Sequence, residues 1–320
     1  MRKVMMVVLL TILCSTYVFA AGAADREWPA RPVTVIVPYS AGGGTDRMAR
    51  TITPFLEAEL GASVVVQNIA GAAGEIGMTA MTDASPDGYT LGLLGFPDQY
   101  TMAAYKDVAY ELDKFQYLAS FTETPTLLAV PPDSPFETLG DLIQYARNNP
   151  GAVTVSESGD SHLITAVLIE DAANVSLTTV NYDGAGENLA AVLGGHVDAG
   201  ALALLFSNEL LDQNARILAV AASQRVPSLP DVPTFRELGY DVLAISSRLL
   251  STPVGTPDDV VNKLRAALDR AGQSAELREA IARGGEVYAY RSGRELDEFV
   301  ASVRDRLVRL IEENIDKFAR

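Results

Sequence analysis

The sequence predicts an α/β protein of two doubly wound lobes with a ligand cleft between them. Two observations carry that prediction. Short β-branched runs alternate with amphipathic helical segments, the pattern of parallel strands covered by helices on both faces. The alternation also restarts in the middle of the chain, which implies two sheets. A third observation locates the function: glycines and small polar residues gather in the loops that leave the strands, where ligands of such sheets bind.

The elements follow in order. Pro32-Val33-Thr34-Val35-Ile36-Val37-Pro38 reads as a buried strand stopped by proline. The glycine loop Ala41-Gly42-Gly43-Gly44 then opens a helix carrying Met48, Ala49, Ile52 and Phe55. Val64-Val65-Val66 is a second strand, 68–74 its loop and 76–81 the start of a helix. Ser85-Pro86-Asp87-Gly88 is a turn into a third strand at 89–94.

The second series begins with Leu127-Leu128-Ala129-Val130, halted by Pro131-Pro132. A helix over 139–147, a strand at 153–155, a Ser/Gly loop and a helix over 162–172 follow. Thr178-Thr179-Val180 leads to another loop and a helix over 187–193. Strands are expected at 197–204, 217–221 and 242–245. Thr256-Pro257-Asp258-Asp259 reads as a helix start, with a hydroxyl cap, an early proline and acids at the positive end. Two apolar stripes complete the chain, one through Val260, Val261, Leu264, Ala267, Leu268 and Ala271. The other runs through Leu296, Phe299, Val300, Val303, Leu307, Leu310 and Ile311. The expected organisation is a leader over 1–23, lobe one over 24–125, lobe two over 126–248, and a helical return to lobe one over 249–320.

The leader rests on Arg2 and Lys3, an apolar run over 4–13, and small residues from Ala20 to Ala24. That is the plan of a secretory signal peptide, too short for a convincing membrane span. Val18-Phe19-Ala20 and Ala21-Gly22-Ala23 both fit a cleavage site. Cys14 raises a rival, a lipid-anchored cysteine, but Thr11-Ile12-Leu13 before it lack the small residue such a site prefers. Cleavage would remove the chain's one cysteine. The leader implies export from the cytoplasm.

A net charge of −16 argues against nucleic-acid binding. It does not exclude an anionic ligand, because local donors decide a small site. With two histidines, His162 and His196, no transition-metal site and no cofactor are expected.

The candidate chemistry lies in loops. Tyr39, Ala41, Gly42, Gly43, Gly44, Thr45 and Asp46 form the first. Its glycines let backbone N–H groups approach a ligand, with a helix N-terminus behind them to favour a carboxylate or phosphate. No Gly-Lys-Ser/Thr follows, so it is not a P-loop, and Arg47 stands where a dinucleotide fingerprint needs glycine. Asp46 is expected to cap donors of the first helical turn. The second loop, with Asn68, Gly71, Ala72, Ala73 and Gly74, has the same character. Together the two suggest paired nests gripping one carboxylate.

From the second series, Ser158, Gly159, Asp160, Ser161 and His162 offer hydroxyls and amides, and Tyr182, Asp183 and Gly184 a phenol and an amide. The leading glycine of Gly-x-Ser-x-Gly is missing before these serines. His196 reads as a turn residue. Arg248, beside Ser246 and Ser247, is either an exposed ion pair or a fork for a ligand carboxylate.

Taken in order, these segments resemble the tripartite tricarboxylate transporter receptor family, also called Bug receptors. The matching stretches are Trp28-Pro29, 35–39, 41–46 with Ala49-Arg50, 68–77, 86–91, 193–198, 229–234 and 253–257. They span nearly all of the chain after the leader. The resemblance implies a periplasmic receptor of the type II-like Venus-flytrap kind, acting as a monomer. It would close on a small organic acid, a di- or tricarboxylate or a relative, and dock to a membrane permease of the tripartite tricarboxylate type. It also implies that loops 41–46 and 68–74 hold a ligand carboxylate while 158–162 and 182–184 select the rest. The chain departs from the family pattern at Glu157, at Asp183 where the family often has lysine, and near Ser247 where many carry an aromatic. Those added acids fit a ligand with an amino group or fewer carboxylates, or else rim residues. A periplasmic serine hydrolase using Ser161 or Ser158, and a solute sensor, are the alternatives to transport.

Overall fold

The computed structural model describes residues 27–158, 160–182 and 184–318; for residues 160–162 and 317–318 it describes the backbone alone. The expected leader and Cys14 lie outside the described residues.

Strand β1 (Val33–Val37) is followed by α1 (Gly44–Leu60), β2 (Val64–Asn68), a 3-10 turn (Ala72–Gly74), α2 (Glu75–Thr82), β3 (Thr90–Phe96) and α3 (Asp98–Tyr105). β1 lies between β2 and β3, parallel to both, with Val35 opposite Val66 and Leu91. Successive side chains point to opposite faces. Val33, Val35 and Val37 therefore pack with Ile52 and Leu56 of α1, while Ile36 packs with Met78, Met81 and Met102 on the other side. Burial on both faces explains why β1 reads as a continuous β-branched run.

Next come β4 (Phe115–Thr122), β5 (Thr124–Val130), α4 (Leu139–Asn148), β6 (Thr154–Glu157), α5 (Asp160–Ala173), β7 (Thr178–Asn181) and α6 (Ala185–Leu193). β8 (Ala199–Ala203), α7 (Ser207–Asp212), β9 (Arg216–Val220) and β10 (Ile245–Pro253) complete the middle. The chain ends with α8 (Asp258–Gly272), α9 (Ala275–Arg283), β11 (Tyr288–Ser292), α10 (Gly293–Glu313) and α11 (Ile315–Phe318).

The strand path is β2-β1-β3-β10-β5-β8-β6-β7, with β4 and β11 branching from β10 and β9 from β5. Its two halves meet where Ile245 and Ser246 pair with Pro125 and Thr124. The expected parallel order holds in β2-β1-β3 and β7-β6-β8. Elsewhere the pairing is antiparallel: β10 with β3, β4 and β5, and β5 with β8 and β9. The reason is connectivity. β4 continues into β5 with one residue between them, carrying the chain from one half to the other, and β10 carries it back in the opposite direction.

Two local expectations are corrected. The strand expected at 242–245 begins only at Ile245 and runs to Pro253, so Arg248 lies within a strand rather than after one. Its polar residues are satisfied sideways: Ser247 Oγ donates to the Thr122 carbonyl, and the Arg248 N–H donates to Thr122 Oγ1. Thr256 does not cap α8; Pro257 holds that position, and the Thr256 hydroxyl donates to the Pro253 carbonyl instead. Strands β4 and β11 carried no expectation.

The first apolar stripe, on α8, packs into the β1 core as its spacing implies. The stripe on α10 reaches further. This 21-residue helix is about 30 Å long. Its Leu296, Val300, Leu307 and Leu310 share one core with Phe96 and Tyr100 of the first half and Leu163 and Leu168 of α5.

Gly77 shows how tightly α2 sits on the strand ends. A Cβ there would stand 2.5 Å from the Ile69 carbonyl oxygen and 2.6 Å from Pro38 Cα, both backbone atoms. Gly77→Ala is therefore expected to cost about 1–3 kcal/mol, as overpacking does. A thermal melt checks this; a midpoint indistinguishable from the parent's would show that the contact yields freely.

Candidate functional site

A cleft of about 720 Å³ opens where the two halves meet, within the size range of small-molecule sites. From the first half it is lined by Tyr39, Ser40, Gly43, Gly44, Thr45, Ala70, Gly71, Ala73, Gly74 and Asp98. Ser158, Gly184, Ala185, Ala203 and Leu205 line it from the second half, and Thr124, Pro125, Thr126, Ser246, Arg248 and Glu286 from the crossing strands and the segment before β11.

Helix starts converge on this space. α1 begins at Gly44, the 3-10 turn at Ala72 runs into α2 at Glu75, and α6 begins at Ala185. The first N–H groups of a helix have no partner within it and carry partial positive charge. Cleft-lining residues at these starts make the region suited to an anion. The second loop also has an unusual backbone: Gly71, Ala72, Ala73 and Gly74 have φ of 135°, 48°, 56° and 103°. Left-handed conformation at two successive alanines is strained, and such strain tends to persist where function uses the geometry.

The two loops are braced from behind. Asp46, 3% exposed, accepts from the Gly42 N–H at 2.7 Å and from Arg50 Nε at 3.1 Å. It reaches back to the loop rather than capping the first turn of α1. Arg50 also donates to Asn68 Oδ1, and Asn68 Nδ2 donates to the Tyr39 carbonyl at 3.1 Å. Burial raises the Asp46 carboxyl, but hydrogen bonds from Arg50, the Gly42 N–H and Asn68 outweigh it and hold it below the usual carboxylate range. The Tyr39 hydroxyl donates to Asp98 Oδ2 at 2.7 Å. Burial, then the Asp98 charge, pushes that phenol well up, so it remains a donor.

In the second half, Asn188 is fully buried, accepting from Ser156 Oγ and donating to the Ala201 carbonyl at 2.8 Å. These bonds fix α6 on β6 and β8, and with it the helix start at the cleft. Glu157 is buried in β6, off the cleft lining.

Arg248 is not exposed. Its side chain is 13% accessible and pairs at 3.0 Å with Glu286, itself 6% accessible. Nη1 donates to Ser246 Oγ at 2.8 Å, and Thr124 Oγ1 donates to the other Glu286 oxygen.

Of the residues singled out from sequence, Tyr39, Gly43, Gly44, Thr45, Gly71, Ala73, Gly74, Ser158, Gly184 and Arg248 line the cleft. Ala41, Gly42, Asp46, Asn68 and Ala72 belong to the same loops but lie off the lining. Tyr182 is half-buried against the core that includes Leu189 and Val192. Gly159 and Asp183 are outside the described residues, as are the side chains of Asp160, Ser161 and His162. Sequence reasoning passed over Asp98, Thr124, Thr126 and Glu286. A polar residue at a strand end or helix start was the available signal for the first three; Glu286 follows a Gly-Gly turn with no periodic pattern. Among the described residues, no group of three or more His, Cys, Asp or Glu could hold a metal, and no helix is long and apolar enough to cross a membrane.

Known proteins resemble this chain in sequence and fold. A family model described as tripartite tricarboxylate transporter family receptor matches residues 48–315. Protein BugT of Bordetella pertussis is 31% identical over 293 residues, covering 89% of this chain and 90% of BugT. A TctC solute binding protein from Polaromonas superposes with a TM-score of 0.79 at 28% identity, over 90% of this chain and 100% of that one. An R. palustris protein solved with adipate gives 0.77 at 27%, over 89% and 98%. MatC from Rhodopseudomonas palustris, solved with bound malate, gives 0.71 at 29%, over 91% and 99%. The family model describes receptors, and the Polaromonas structure is that of a solute binding protein, which marks this chain as a binding protein rather than an enzyme.

The brace behind the first loop has a pH signature. Asp46→Ala leaves the Gly42 N–H and Arg50 without their acceptor and is expected to cost about 1–3 kcal/mol at neutral pH. Because the folded carboxyl titrates below its usual value, its stabilisation is present above about pH 4 and is lost as pH falls through the folded value. The melting difference between parent and variant should therefore shrink under acid. A difference that stayed constant down to pH 3 would contradict the bracing role.

Proposed function

Since the chain belongs to the tripartite tricarboxylate transporter receptor family, we propose that it captures a small carboxylate outside the cytoplasm and delivers it to a membrane permease of that transporter type. The convergence of helix starts and glycine loops on one cleft supports this reading most. The structurally similar proteins solved with adipate and malate carry carboxylate ligands, which supports the same ligand class. In the proposed arrangement, 24–125 with 249–320 and 126–248 form the two lobes. Residues 1–23 are the leader that sends the chain to the periplasm, and the receptor works as a monomer without cofactor.

Loops 41–46 and 68–74 supply the nests for one carboxylate, and the second lobe reads the remainder through Ser158, the 159–162 segment and 182–184. Contacts to both lobes favour the closed state, since a ligand shifts an equilibrium only by its differential affinity for the two states. Nothing in this role consumes the ligand, which leaves unchanged. A hydrolase would instead require turnover dependent on Ser158 or Ser161.

A thermal-shift screen of carboxylates with two to six carbons tests the ligand class. At a hundredfold excess over Kd a ligand stabilises by about 2.7 kcal/mol, so the melting temperature should rise by several degrees. No rise with any carboxylate would refute the reading. Gly43→Val tests the first nest. Gly43 has φ −69°, which valine adopts, and its Cβ would meet only the Ser40 carbonyl, at 3.3 Å. The variant should fold and bind at least about tenfold more weakly, a loss of roughly 1.4 kcal/mol. Retained affinity would remove this loop from the site.

A further inference from the structure

We infer that Glu286 is a resident counter-charge that turns the cleft against a second anionic group, so the preferred ligand is a carboxylate whose far end is neutral or cationic. This rests on the carboxylate-receptor reading above and narrows it.

The position of Glu286 carries the inference. A Cβ built on Gly44 would stand 3.2 Å from Arg248 Nη2 and 3.9 Å from Glu286 Oε1. The ion pair thus lies against the first turn of α1. A guanidinium beside a helix N-terminus is the arrangement that binds a carboxylate strongly. Here Glu286 already supplies that carboxylate, at 3.0 Å from the guanidinium. A ligand carboxylate has two ways to reach the same place. It displaces Glu286 from Arg248, stranding a buried charge without its partner. Or it lies beside Glu286, where like charges repel. A neutral or donor-bearing group meets neither penalty.

The charge balance agrees. Among the described lining residues, Arg248 is the cation and Asp98 and Glu286 are the anions. The loop at Gly71, Ala73 and Gly74 brings backbone and no acidic side chain to the lining, so a single ligand carboxylate has its place on that side of the cleft, shared with the amides of the first loop.

Calorimetric titration of matched pairs tests this: succinate, glutarate and adipate, each against its half-amide, in which one carboxylate becomes a neutral group of similar size. The parent protein should bind the half-amide of the best-fitting length at least about tenfold more tightly than the diacid. Glu286→Gln removes the charge, while its amide oxygen still accepts from Arg248 and its NH2 can donate to Thr124 Oγ1. It should move that ratio about tenfold toward the diacid. Equal or tighter diacid binding by the parent overturns the inference, and that comparison stands even if the variant does not fold. An unmoved ratio in a folded Glu286→Gln protein overturns it as well. Binding of both members without preference sinks only this inference, whereas binding of neither at any length sinks the carboxylate reading with it.

Discussion

The buried pair of Arg248 and Glu286 sits where the chain passes between the two halves of the protein. Arg248 belongs to β10, the returning strand, and Thr124, which donates to Glu286, begins β5, the outgoing one. Ser246, Ser247 and Arg248 each bond to this crossing, through the guanidinium, the Thr122 carbonyl and Thr122 Oγ1. Two ions this far from water are costly unless paired and hydrogen-bonded, and removal of one partner typically costs about 3–5 kcal/mol. The crossing is therefore a defined polar joint, and α1 starts directly against it because Gly44 has no side chain to interpose.

From that joint outward, the cleft is made of backbone. Helix starts and glycine loops present N–H groups whose direction is fixed by packing behind them: Asp46, Arg50 and Asn68 behind the first two loops, Asn188 and Ser156 behind α6. Backbone donors need no rotamer ordering when a ligand arrives, so preorganisation lowers the entropic cost of binding. In the proposed role they would recognise a carboxylate without identifying the molecule that bears it. Selection then falls to side chains at the cleft floor and in the second half, where few charges are available.

Much of this plan was legible in the sequence. The strands at 33–37 and 127–130 are apolar because both faces are covered, and glycine-rich loops before amphipathic helices mark the ligand side of such sheets. The crossing strands were harder to read. Ile245-Ser246-Ser247-Arg248 looks like a loop, since its polar residues are satisfied by a neighbouring strand rather than by water. Antiparallel order follows from a chain that crosses twice, which no local pattern encodes. Glu286 was invisible for a related reason: its meaning comes from Arg248, distant in sequence, and pairing across such a distance leaves no periodic trace. Asp46 and Asn68 were legible as loop residues, but their place behind the loops depends on Arg50, whose reach the sequence does not show.

In the proposed function, backbone amides of the glycine loops hold the ligand's carboxylate. Amide NMR on nitrogen-15 labelled protein observes those donors directly, because glycine N–H signals fall in a region of their own. Titration with a carboxylate that raises the melting temperature should shift the signals of Gly43, Gly44, Gly71 and Gly74 strongly and saturably, in the direction of stronger hydrogen bonding. Saturable binding that moved other residues and left these four glycines in place would contradict the account.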